Sequence, residues 1–205
     1  DVDVVERGMP RHVLDGVAAG QGCALRTTDA DLRSWWPERS PDAHKYSVGM
    51  TLVVGGAPGY TGAPVMASLA AARAGSGYVA CACPESIQPA LAQKLTAIPT
   101  FPLSEWEDGL APEIAKTLAE PLEKARALLV GPGLGRERET QSSIRSFLSE
   151  IEHPAVIDAD GLNAIAGSLG ADDTDLTPNG RWILTPHAGE FQRLVGEKID
   201  LSDPV

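Results

Sequence analysis

Three turns, each placed where a short apolar run should end, dominate this sequence: Gly55-Gly56-Ala57-Pro58-Gly59-Tyr60-Thr61-Gly62-Ala63, Gly131-Pro132-Gly133-Leu134-Gly135 and Thr185-Pro186-His187-Ala188-Gly189-Glu190. In an open parallel sheet such turns collect along one edge and line one crevice. The pattern therefore points to an α/β chain with a nucleotide-like ligand.

The runs between the turns support that class. Thr51 to Val54, Tyr78 to Cys83, Ala127 to Val130, Ala155 to Ile157 and Trp182 to Leu184 read as strands. Ala63 to Ala74, Ile87 to Leu95, Pro112 to Ala125, Glu139 to Glu150 and Leu162 to Ala166 read as helices, and Gly75-Ser76-Gly77 closes the first. Helices alternating with short β-branched runs predict a mainly parallel sheet with helices on both faces. Before Met50 only Val2 to Val5 and a short helix at Thr28 to Trp36 show any period; Pro37 and Pro41 prevent that helix from continuing.

With 205 residues, 43% of them hydrophobic, the chain can build one core. A net charge of -11 opposes nucleic-acid or anionic-membrane partners, yet a phosphorylated small molecule can still be held by backbone N–H groups. No apolar stretch reaches the roughly 20 residues of a membrane span. Cys23, Cys81 and Cys83 lack structural zinc spacing and suit a reducing, cytoplasmic compartment; Cys81 and Cys83 read as small residues of a buried strand.

The first turn is neither a Walker A loop nor a Gly-x-Gly-x-x-Gly fingerprint, and a tight turn alone would also explain its glycines. In the third, Thr185 and Pro186 can begin a helix whose first turn would hold Glu190, so capping explains Glu190 as well as catalysis does. A capping turn does not require imidazole, which makes His187 a candidate ligand contact. Asp158, Asp160 and Asn163 follow another strand, where carboxylates could hold a metal-bound phosphate or a water; Asx-turn chemistry explains Asp160 and Asn163 equally. No metal ligand set is assigned.

Taken in order, Val53 to Ala63, Ala72 to Gly77, Val130 to Gly135, Val156 to Asn163 and Leu184 to Phe191 resemble the ADP- or ATP-dependent NAD(P)H-hydrate dehydratases over about residues 27 to 200. That resemblance implies a three-layer ribokinase-like α/β fold and a hydro-lyase that returns NADHX or NADPHX to NADH or NADPH. ADP, or ATP, is the implied co-substrate, with Mg2+, and ADP would give AMP and phosphate. By motif match Ala63, Gly133 and His187 would contact the hydrated dinucleotide, with Gly62, Asp160, Asn163 and Glu190 as further crevice candidates. The family's catalytic aspartate and much of its adenine site are expected beyond Val205, so the chain reads as a C-terminally incomplete domain, inactive by itself.

Val2 to Pro10 resembles the tail of the epimerase domain that precedes the dehydratase in bifunctional members. The expected division is 1–26 as that tail and linker, and 27–205 as the first two-thirds of the dehydratase domain. The family's usual Lys-Gly pair after a His is replaced by Lys45-Tyr46. Ala-rich helix faces are compatible with a homo-oligomer. A ribokinase-like small-molecule kinase and a non-catalytic nucleotide-binding module remain as alternatives.

Overall fold

The computed structural model describes residues 28–36, 38–168 and 181–196, which fall into two units divided at residues 40 and 41. The expected epimerase-like tail at 1–26, the run Val2 to Val5 and Cys23 lie outside the described residues. In the first unit, helix α1 (Asp29–Trp35) starts where the sequence indicates. Thr28 is its N-cap: the Thr28 Oγ1 accepts from the Asp31 amide at 3.3 Å, and the Asp31 carboxylate accepts from the Thr28 amide at 2.8 Å.

The second unit begins with a one-turn helix, α2 (Lys45–Val48), and then enters the sheet. Strand β1 (Met50–Val54), helix α3 (Gly62–Ala74), strand β2 (Tyr78–Pro84), helix α4 (Gln88–Lys94) and strand β3 (Thr100–Leu103) form its first half. After a small hairpin, β4 (Glu105–Trp106) and β5 (Gly109–Leu110), come α5 (Ile114–Thr117) and α6 (Ala119–Lys124). The second half is β6 (Ala125–Val130), α7 (Arg138–Glu150), β7 (Ala155–Ile157), α8 (Asp160–Ile165), β8 (Trp182–Leu184) and α9 (Ala188–Val195).

Six strands pair in parallel in the order β3-β2-β1-β6-β7-β8. The two-residue period of the strands sends alternate side chains to opposite faces. Leu52, Val54, Ala80, Ala82, Leu128 and Val130 enter one core with Ile144, Phe147 and Leu148 of α7. Val53, Val79, Cys81 and Cys83 enter the other, against Leu91 of α4 and the partly buried Val65 and Leu69 of α3. Helices thus cover both faces, and this is why β1 and β2 read as continuous apolar runs.

Cys81 and Cys83 are free and buried, as expected of strand residues. Burial pushes the Cys81 thiol up to about 11, partly offset by the Ser68 hydroxyl, and pushes Cys83 up to about 12 with help from the neighbouring Cys81 and Glu105. Neither is a reactive thiolate.

The long helix expected over Pro112 to Ala125 is two short ones. Pro121 has no N–H for a continuous ladder and its ring crowds the carbonyl four residues earlier, so α5 ends at Thr117 and α6 restarts at Ala119. Strand β3, which the apolar pattern does not mark, sits at the sheet edge, where Pro102 costs no inner ladder bond. The hairpin is strapped to α7: the Leu110 amide donates to Thr140 Oγ1 at 3.1 Å, and Ser143 Oγ donates to the Leu110 carbonyl at 2.7 Å.

Candidate functional site

The strand order reverses between β1 and β6: chain connections leave β1 towards β2 and leave β6 towards β7. At such a point the loops at the carboxyl ends of the strands part and leave a crevice. The first glycine turn leaves β1 and the second leaves β6, so both lie at that reversal point.

Hydrogen bonds stitch the two turns together. The Gly56 amide donates to the Pro132 carbonyl at 2.9 Å, and the Gly131 amide donates to the Val54 carbonyl at 3.0 Å. Gly131 has φ 129°, and a Cβ there would lie 1.8 Å from the Asp158 carbonyl oxygen, so the turn after β7 is pressed directly against it. Gly133, at φ 70°, packs on the first turn: a Cβ would lie 2.9 Å from the Tyr60 carbonyl oxygen and 3.3 Å from the Ala63 Cβ. The structure therefore brings Ala63 and Gly133 together. Gly62 opens α3, has open space around it, and Thr61 supplies no side-chain cap to the helix amides.

The turn after β7 is strained. Ala159 adopts φ 51° and ψ -118°, the one non-glycine residue with positive φ among the described residues. Asp158 Oδ1 accepts from Thr185 Oγ1 at 2.8 Å, tying this turn to the one after β8. Asp160 Oδ2 accepts from the Gly135 amide at 3.1 Å, and its Oδ1 accepts from Asn163 Nδ2 at 3.1 Å. Arg193 Nε then donates to Asn163 Oδ1 at 2.9 Å. Asp160 and Asn163 are thus engaged in joining elements of the protein.

The third turn corrects one expectation. The helix α9 begins at Ala188 rather than at Thr185 or Pro186, and the His187 imidazole is its capping group: Nδ1 accepts from the Gly189 amide at 3.1 Å. Glu190 completes the cap by accepting from the His187 amide at 2.9 Å, while His187 Nε2 lies 3.3 Å from Glu190 Oε1. An accepting Nδ1 leaves the proton on Nε2. The imidazole remains 69% exposed although the Glu190 side chain is 10% exposed, so the ring caps the helix and still faces solvent.

A cavity of about 490 Å3 opens beside the first two turns, between Tyr60, Leu134 and the hairpin residue Trp106. Among the described residues no three His, Cys, Asp or Glu side chains converge as a metal cage, and no helix is long and apolar enough to cross a membrane. Tyr60 and Arg193 are not singled out by sequence reasoning. Arg193 escapes it because its partner, Asn163, lies 30 residues away along the chain.

Comparison with known proteins agrees with this geometry. A family model for NAD(P)H-hydrate dehydratase matches residues 51–204. Over 206 aligned positions the chain is 53% identical to the bifunctional NAD(P)H-hydrate repair enzyme Nnr of Salinibacter ruber, covering 100% of this chain and 38% of that protein. It is 39% identical to the Nnr of Moorella thermoacetica, covering 95% of this chain and 36% of that one. The chain thus spans little more than a third of these relatives. Among solved structures, the ADP/ATP-dependent NAD(P)H-hydrate dehydratase of Bacillus subtilis, co-crystallised with ATP and Mg2+, superposes with a TM-score of 0.59 at 26% identity, over 82% of this chain and 55% of that one. A ribokinase-like superfamily protein of Enterococcus faecalis gives 0.63 at 23% identity, over 77% of this chain and 51% of that one. The fold is ribokinase-like, and with three-quarters of its length matched by the family model the chain belongs to the NAD(P)H-hydrate dehydratase family.

Proposed function

We propose that this chain forms part of an enzyme that dehydrates NADHX or NADPHX to NADH or NADPH with ADP or ATP as co-substrate. The observation that carries the reading is the stitching of both glycine turns across the sheet's reversal point, with Ala63 against Gly133 and the His187 turn tied to the same edge through Asp158. Family membership narrows the ligand from any nucleotide to a hydrated nicotinamide dinucleotide.

Each proposed contact follows from local structure. Ala63 and Gly133 meet where the two glycine turns pack, so a ligand laid across that seam touches both, and His187 presents an exposed imidazole beside Glu190. Gly62 and the uncapped start of α3 offer amide donors suited to phosphate oxygens. Asp160, Asn163 and Glu190 hold the surrounding turns in place.

The nucleotide supplies a phosphoryl group that turns the hydrate's hydroxyl into a better leaving group, and loss of phosphate restores the ring double bond. Backbone donors at the crevice fit such a phosphorylated co-substrate. The described residues form no carboxylate cage, so Mg2+ would be held mainly by phosphate oxygens and water, its usual habit. The reducing cytoplasm suits the buried free thiols, and association of copies through apolar helix faces belongs to the same reading.

The test is ADP-dependent recovery of NADH absorbance from purified NADH hydrate by the intact protein. Recovery with release of AMP and phosphate supports the dehydratase. Stable phosphorylation of the substrate would move the assignment to a kinase, and binding without turnover would move it to a non-catalytic module.

A further inference from the structure

We infer that Arg193 recognises the pyrophosphate of the dinucleotide and that Asp160 and Asn163 are positioning residues that aim it. This rests on the dehydratase reading above. The hydrogen bonds from Gly135 to Asp160, from Asn163 to Asp160 and from Arg193 to Asn163 form one continuous chain from the second glycine turn to the guanidinium.

The arrangement leaves the cation available. A guanidinium has five N–H donors in a planar fork. Arg193 uses Nε on Asn163, and among the described residues no carboxylate pairs with its two terminal nitrogens. Asn163 is a neutral partner, so it fixes the side chain without cancelling the charge. Asp160 Oδ1 accepts from Asn163 Nδ2 and thereby turns the Asn163 Oδ1 towards Arg193. A direct Asp160–Arg193 ion pair would have neutralised the cation.

Position supplies the ligand. A Cβ placed on Gly189 would lie 3.2 Å from the His187 ring and 3.7 Å from Arg193 Nη1, so imidazole and guanidinium flank the same turn of backbone. With Nε occupied, the end-on pair of terminal nitrogens remains to take two oxygens, which matches phosphate geometry. In a chain with 28 acidic and 17 basic residues, an arginine held through Nε with its terminal nitrogens unspent among the described residues is suited to an anionic ligand.

The experiment is titration of the intact protein with NADH, and separately with ADP, in the wild type and in Arg193→Gln, Arg193→Lys and Asn163→Leu. Circular dichroism confirms folding of each variant. Arg193→Gln should weaken NADH binding by ~10–100-fold, the range for a hydrogen bond to a charged group, and flatten its salt dependence. Arg193→Lys should recover only part, because an ammonium cannot hold Asn163 and present a fork. Asn163→Leu should fall between wild type and Arg193→Gln. Unchanged NADH affinity in Arg193→Gln, or a loss confined to ADP, overturns the assignment to the dinucleotide. Failure of the wild type to bind NADH or ADP would instead overturn the functional reading beneath it.

Discussion

Replacing Gly131 by Ala tests whether the crevice is built on backbone contact. Two costs combine. At φ 129° an L side chain is strained by about 1–3 kcal/mol. The new methyl would also stand 1.8 Å from the Asp158 carbonyl oxygen and 2.7 Å from the Gly161 nitrogen, both main-chain atoms that cannot swing aside. Such overpacking adds about 1–3 kcal/mol, giving a total near ~4 kcal/mol and a Tm lower by ~8–16 °C at the sensitivity of a chain this long. Gly59→Ala is the control, because Gly59 has φ 83° but open space around it and should lose only ~1 kcal/mol. Urea denaturation of the intact protein, followed by circular dichroism, reads both. If Gly131→Ala and Gly59→Ala were equally stable within about 1 kcal/mol, the argument from close turn-to-turn contact would be wrong.

Other substitutions separate roles that the structure superimposes. His187→Asn should keep the α9 cap and stability, whereas His187→Ala should lose ~1 kcal/mol in the same denaturation assay; under the proposed function both should lose NADH-hydrate turnover, and full activity in His187→Asn would remove imidazole from the site. Cys81 holds its proton to about 11 when folded and to about 9 when unfolded, so its contribution is complete below pH 9 and lost as pH rises towards 11, by ~1.4 kcal/mol per unit. Cys81→Ala should therefore show a shallower fall in stability across that window. Glu120→Gln removes an exposed pair with Lys124 and should leave Tm unchanged; a clear drop would contradict the weak value assigned to surface ion pairs.

The sheet is legible in the sequence because its inner strands are covered on both faces and bounded by glycine turns. Tyr78 to Cys83 and Val53-Val54 are apolar at successive positions, so composition alone marks them. Strand β3 escapes because an edge position tolerates Pro102 and needs less apolar character. The split at Leu118 is hidden by good helix formers on either side of Pro121. At the site, the glycines announce turns, but which surfaces they approach is a tertiary fact: Gly131 on Asp158, and Gly133 on Tyr60 and Ala63. The cap at His187 is hard to foresee because serine, threonine, aspartate and asparagine usually fill that role, whereas here an imidazole nitrogen supplies the same lone pair.

Strands β1 and β6 lie side by side although α3, β2, α4, β3, the hairpin, α5 and α6 separate them along the chain. The two glycine turns therefore meet only after that long loop has closed, and non-local closures of this kind are slow steps in folding. A ligand spanning both turns finds no half-formed site to bind; it engages the completed molecule and, by mass action, draws the population towards it. Its presence during refolding should accordingly raise the final yield while leaving the earliest phase unchanged.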